Sequence, residues 1–172
     1  MNKTNNWIFI LAISAFFITI IFTLLSNRLL EDVSIFVSII VVLVFITVGV
    51  IFDMIGISIA STEKKSFHSM ASKKVKAAKT AIKMVNQSDK LSSFCNDVIG
   101  DICNIISGGA GIIIAHNISV NYNYNNTFVI LIVTSLIASL TIGGKAFGKY
   151  YALKNKEDIV YKFAHFLSVF EK

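Results

Sequence analysis

Apolar residues in this chain gather into four long runs instead of the short alternating or periodic clusters of a water-soluble fold. The first is WIFILAISAFFITIIFTLL, Trp7 to Leu25, and the second, the most apolar, is SIFVSIIVVLVFITVGVIFDMIG, Ser34 to Gly56. The third starts at SSFCNDVIGDICNIISGGAG and continues through IIIA, Ser92 to Ala115, and the fourth is TFVILIVTSLIASLTIGG, Thr127 to Gly144. Each meets the requirement of roughly 20 residues for crossing a hydrocarbon core about 30 Å thick. The first run is too long for the apolar part of a secretory signal and lacks a small-residue cleavage pattern. It reads as a retained helix.

A different pattern fills the spaces between the runs. In SFHSMASKKVKAAKTAIKMVNQ, Phe67, Ala71, Ala78, Ile82 and Val85 recur at helical spacing, with Lys73, Lys76, Lys79 and Lys83 mostly opposite. This predicts a basic amphipathic helix, suited to the anionic inner leaflet of a bilayer. Packing beneath the spans is the other reading, and the two are compatible. The tail repeats the design: Ile159, Phe163, Phe166, Leu167 and Phe170 form an apolar stripe after a cap at Asn155. There is no proline, so any kink falls to glycine or to polar insertion. Gly108, Gly109 and Gly111 in the third run and Gly143, Gly144 and Gly148 at the end of the fourth allow close helix approach or a local break.

Composition agrees with the pattern. Of 172 residues, 55% are hydrophobic and 15% charged, against roughly a quarter charged in soluble domains. Sixteen Lys and Arg outnumber ten acids, but they lie between apolar runs, so no nucleic-acid partner is expected. Instead they orient the chain. Eight Lys lie between Ser61 and Lys90 and six from Lys145 onward, while HNISVNYNYNN, 116–126, has none. Positive-inside reasoning puts 61–90 and both termini in the cytoplasm and the Asn/Tyr loop outside.

The third run raises the chemical question. An Asp at the centre of a spanning helix costs roughly 2.5–3.5 kcal/mol, against about 0.3–0.6 gained by each Leu or Ile. Asp97 and Asp101 must therefore face protein, water or a cation. On α spacing Ser93, Asp97, Asp101, Asn104 and Gly108 fall on one stripe. At 1.5 Å per residue Asp97 lies about 7 Å and Asp101 about 13 Å into the bilayer from its cytoplasmic side. The second run brings Asp53 to the same inner third, and the fourth brings Lys145 to its edge.

Three arrangements follow. Oxygens of Asp53, Asn96, Asp97, Asp101 and Asn104 could line a site for a hard cation such as Mg²⁺. Lys145 could instead pair structurally with Asp53 or Asp97, or an Asp could sit protonated in an apolar site.

Enzymatic chemistry has little support. His68, His116 and His165 are scattered, no nucleophile–base pair is evident, and SGGAG follows no strand. Cys95 and Cys103 lack metal or redox spacing and read as small buried residues. Asn117-Ile-Ser and Asn125-Asn-Thr fit the short glycosylation pattern.

From about Phe52 onward the chain resembles the membrane domain of the CNNM/CorB/CorC family (DUF21) of magnesium and cobalt efflux proteins. ASKKVKAAKTAIKMVNQSDKLSS is similar to the family's connecting segment, VIGDICNI to its asparagine motif, and GKAFGKYYALKNKEDIV to its "GE..PK" motif and trailing helix. Gly100 and Asn104 match the asparagine motif, with Asp101 near one asparagine; Gly144 and Lys149 match "GE..PK". Departures are specific. Lys145 stands where the family has glutamate, Gly148 where it has proline, and FDMIG stands at the Ser/Glu motif, with Asp53 near the serine position and Gly56 near the glutamate. Family members usually continue into CBS domains, for which this sequence leaves no room.

The expectation is an all-α polytopic helical membrane protein of four transmembrane helices plus cytoplasmic amphipathic helices. Residues 1–33 would form an extra N-terminal span and short outer loop. Residues 34–172 would form the CNNM-like domain, with a basic helix in 61–90 and a juxtamembrane helix in 155–172. The resemblance implies a divalent-cation transporter, Mg²⁺ or Co²⁺, working as a homodimer. Its rival is a transport-inactive scaffold or regulatory subunit whose site has become an Asp–Lys pair.

Overall fold

The computed structural model describes residues 3–31, 33–72, 75 and 77–170, and every regular element among them is helical. Four elements are long and apolar enough to cross a membrane. They are α1 (Lys3–Glu31), α2 (Ile35–Ser61), the rod through Ser88–Tyr122, and α7 (Asn126–Lys154). The rod comprises α5 (Ser88–Ser93), a π-helical segment (Phe94–Gly100) and α6 (Asp101–Tyr122). Three shorter helices complete the chain: α3 (Lys64–Ser72), α4 (Ala78–Asn86) and α8 (Lys156–Phe170).

Contacts divide the chain into two compact units that cut across the long helices. One runs to Val50 and takes in Val98–Gly144; the other comprises Ile51–Asp97 and Lys145 onward. In the first unit α1 packs along α6. Leu11, Ala15 and Ile18 lie on one α1 face against Val98, Ile102 and Ile106. A second cluster joins Val42 and Ile46 of α2 to Ala110 and Ile114 of α6, with Val133 and Ile137 of α7 beside them. Gly111 decides the last approach, because a Cβ there would run into Ile137.

Several hydroxyls in the spans are satisfied within their own helices, whereas those of Thr23 and Ser26 in α1 are buried without a partner among the described residues. Ser107 donates to the Cys103 carbonyl at 2.8 Å, Ser119 to Ala115 at 2.6 Å and Thr134 to Ile130 at 2.7 Å. Such back-bonding lets a polar side chain sit in an apolar helix without an unsatisfied group. At the α6–α7 turn, Asn123 takes the left-handed conformation (φ 55°) that ends a helix, and Asn125 Oδ1 accepts from the backbone N–H of Thr127 at 3.1 Å. The Asn125 side chain is therefore engaged as the N-cap of α7.

The second unit is built around Phe67, which is fully buried among Ile59, Ala81, Met84, Val85, Val160 and Ala164. These come from α2, α3, α4 and α8. Two polar links tie the start of α8 to this cluster: Lys156 Nζ donates to the Ser61 carbonyl at 2.9 Å, and Ser66 Oγ to Glu157 Oε1 at 2.6 Å. Asn155 does not cap α8 with its side chain. Its Nδ2 donates back to the Tyr151 carbonyl at 3.2 Å, closing the end of α7.

The segment expected as one amphipathic helix is two. Ala77 between α3 and α4 has φ 63°, in the left-handed region, and no side-chain hydrogen bond caps α4. Lys73, Lys74 and Lys76 lie outside the described residues. The apolar positions Phe67, Ala78 and Val85 are buried, so the stripe is used in packing within the unit, with Lys79 and Lys83 exposed. Left-handed alanine costs about 1–2 kcal/mol, while glycine gives up about 0.5–1 kcal/mol of chain entropy. Ala77→Gly should therefore stabilise the protein by about 0.5 kcal/mol, read as a small rise in its thermal midpoint in detergent.

Candidate functional site

One face of α2 carries Gly49, Asp53 and Gly56 at steps of four and three, one turn apart. Gly49 lies in the first unit, where a Cβ would stand 3.1 Å from Cys103 Cβ and 3.5 Å from the Gly100 carbonyl oxygen. Gly56 lies in the second, where a Cβ would collide with Asn96 Oδ1 and stand 3.0 Å from the Ser92 carbonyl oxygen. In each unit a missing side chain on α2 is filled by the third rod.

Asp53 itself is 8% exposed. Its Oδ2 accepts a charge-assisted hydrogen bond from Lys145 Nζ of α7 at 2.9 Å. The lysine side chain is 30% exposed, the aspartate side chain 11%. Burial of the carboxylate is thus met by a full opposite charge, the condition under which a charge survives in an apolar setting. Asp53 also lies within electrostatic reach of the buried Cys95 thiol.

Against Gly56 lies Asn96, half-buried, whose Oδ1 is shielded from solvent and has no hydrogen-bond donor among the described residues. A buried acceptor left without a donor costs about 1–3 kcal/mol. Asp97, the next residue, is exposed.

In the first unit, Asp101 is exposed and Asn104 half-buried, and Asn104 Nδ2 donates to Asp101 Oδ1 at a long 3.5 Å. The five oxygen-bearing residues of the predicted set are therefore distributed over both units. Asp53, Asn96 and Asp97 belong to one, Asp101 and Asn104 to the other. Among the described residues no three His, Cys, Asp or Glu gather in a metal-holding group. His68, His116 and His165 are each exposed.

The single polar stripe expected from residue spacing is broken at its centre. The spacing rule assumes 3.6 residues per turn throughout, whereas Phe94–Gly100 winds as a π-helix, which closes its hydrogen bonds one residue later. Phe94 and Gly100, at its two ends, keep right-handed helical dihedrals, so the rod passes through without a cap or break. The sequence reading passed over Gly49 and named Gly56 only as standing near the glutamate of the family pattern, not as a residue that shapes the site. Their signal was their spacing, one turn to either side of an intramembrane aspartate.

No family model, curated protein or solved structure matches the chain. An aspartate neutralised by a lysine of the same protein exerts little net attraction on a second cation. It can hold α2 and α7 in register. A carboxylate released from that lysine, together with an amide oxygen such as that of Asn96, would offer hard donors of the kind Mg²⁺ takes.

Proposed function

We propose that this chain is a multi-pass membrane protein of the CNNM/CorB kind in which a lysine of the protein has taken over the place of a cation. It then serves as a membrane scaffold or regulatory subunit, not as a transporter. The observation that carries this reading is the 2.9 Å Lys145–Asp53 pair. In the family pattern a glutamate stands where this chain has Lys145. Exchanging an acid for a base there alters the local charge by two units. A divalent ion, which takes six or more oxygens and is helped by each carboxylate among them, loses one candidate donor and meets an ammonium instead.

Lysine distribution supports an orientation with 61–90 and both chain ends on the cytoplasmic side. The exposed Lys79 and Lys83 on α4 then face anionic headgroups as point charges, while the apolar side of that helix stays in its own core. The exposed apolar side of α7, with Phe128, Leu131 and Leu136, is left for lipid or for the second copy that the resemblance implies.

A second reading, transport of a divalent cation with Mg²⁺ first, is favoured by the unsatisfied Asn96 Oδ1. Thermal unfolding of the purified protein in detergent, with and without MgCl₂, separates the two. On the scaffold reading Mg²⁺ leaves the wild-type midpoint unmoved, and Lys145→Glu acquires a Mg²⁺-dependent rise. On the transport reading the wild type is stabilised, by about 2.7 kcal/mol at a hundred times the dissociation constant, and Asp53→Asn abolishes the effect. A wild-type response to Mg²⁺ of that kind would overturn the scaffold proposal.

A further inference from the structure

The apolar side of α8 is only partly spent inside the protein. Val160 and Ala164 are fully buried in the Phe67 cluster, with Leu167 packed against it. Each of these has an apolar neighbour one residue earlier: Ile159, Phe163 and Phe166. At steps of four and three those neighbours form a second apolar line, about 100° round the helix from the first. Ile159 and Phe163 are half-buried, and Phe166 is 59% exposed. α4 has no such flank. Its exposed positions are Lys79, Lys83 and Asn86, all polar.

Three observations put this flank at a membrane surface. α8 follows α7 after one residue, Asn155, and α7 is long and apolar enough to be a span. The last turns of α7 expose Tyr150 and Tyr151 between Lys149 and Lys154, residue types that gather at headgroup level where a span ends. The cluster that α8 joins contains Ile59, with Ile55 packed against it, and their helix α2 runs on to Ser61. α8 therefore lies alongside the end of a span and not beyond it. Charge then selects the kind of surface. Lys162, one turn before Phe166, is exposed, as are Lys149 and Lys154. The acids of α8, Glu157 and Asp158, sit in its first turn, more than about 100° round from the flank, and Glu157 is engaged by the Ser66 hydroxyl. The basic rim suits anionic headgroups.

We propose that α8 is an interfacial helix, its Ile159–Phe163–Phe166 flank sunk into an anionic lipid leaflet while Val160, Ala164 and Leu167 stay in the protein core. An interfacial helix ordinarily has one apolar side, given to the lipid. With two adjoining apolar lines, α8 serves both the Phe67 core and the bilayer, and so holds that core against the membrane. This role is the same whether the protein is a scaffold or a transporter.

Fluorescence quenching by brominated lipid in nanodiscs tests the assignment. The full chain carries Trp7→Phe, which removes its one tryptophan, plus either Phe166→Trp on α8 or Lys83→Trp on α4 as the reporter. Both reporters replace exposed side chains. In phosphatidylglycerol-rich nanodiscs brominated near the top of the acyl chains, emission from the Phe166→Trp protein should fall at least threefold. Emission from the Lys83→Trp protein should change little, since α4 meets the headgroups only through its lysines. In neutral phosphatidylcholine the quenching at position 166 should weaken at least twofold. Both leaflets of a nanodisc carry the same lipid, so the readout does not depend on which side of the membrane α8 occupies. Absent quenching at position 166, or equal quenching at 166 and 83, would overturn the proposal. Absent quenching together with copy-to-copy crosslinking through Phe166→Cys would give the flank to a second copy of the chain. Quenching as strong in neutral lipid would remove the lysines as the reason for it and overturn the anionic leaflet.

Discussion

Replacing Lys145 by methionine should cost the folded protein about 3 kcal/mol, the low end of the range for stripping one partner from a buried ion pair. The low end applies because the lysine side chain is 30% exposed while Asp53 is nearly enclosed. The asymmetry has a further consequence. Methionine keeps the length and apolar stem of lysine but leaves the Asp53 carboxylate buried without its ammonium. Asp53→Asn, by contrast, leaves an ammonium on a flexible stem that can reach toward the interface, so it should cost clearly less. Lys145→Arg keeps the charge and should cost least of the three. Thermal midpoints in one detergent, measured side by side, give the ranking. Equal losses for Lys145→Met and Asp53→Asn would mean that burial of the carboxylate is not what the lysine answers.

Phe67→Ala should be at least as damaging, at about 3–5 kcal/mol. Phe67 is the largest fully buried side chain of the second unit and touches elements from α2 to α8. Ala81, Ala164 and Val160 around it are short and fixed on helices, so the vacated space can be filled only in part, by flexible neighbours such as Met84. The loss should be local before it is global. Protease cleavage within 61–90 is expected to accelerate well below the temperature at which the spans unfold, since the first unit has its own apolar clusters. If cleavage there and loss of the spans stayed coincident, the two units would be one cooperative body.

That core also limits what α4 can do at a membrane. An amphipathic helix binds a leaflet by inserting its apolar side, and on α4 that side is spent on α3 and α8. Lysines on the other side can attract anionic lipid without the helix being drawn in.

The four spans were legible from hydrophobic runs alone, because length and apolarity are all that crossing a bilayer requires. Helix ends were less so. α2 continues through Ile57–Ser61 beyond the Gly56 where the apolar run was cut, and α7 runs on to Lys154 through lysine-bearing sequence, since a helix continues when nothing stops it. The break at Ala77 was hidden because alanine, the best helix former, is an unlikely-looking residue for a left-handed turn. The π turn was hidden for a deeper reason: periodicity analysis presumes the period it looks for. Asp53 and Lys145 could be singled out by the cost of charge in lipid, yet which aspartate the lysine would meet depended on how α2, the third rod and α7 pack. The unsatisfied oxygen of Asn96 could not be read from sequence at all, since it follows from a glycine on another helix.

A double-mutant cycle on Asp53 and Lys145 tests most directly whether this protein's own ammonium fills the place of a cation. Stabilities of wild type, Asp53→Asn, Lys145→Met and the double variant would be measured in one detergent without divalent ions. The pair as described predicts strong coupling, with the double variant recovering at least about 1.5 kcal/mol of the summed single losses, well outside the 0.3–0.5 kcal/mol scatter of independent sites. Simple additivity of the two losses would contradict it.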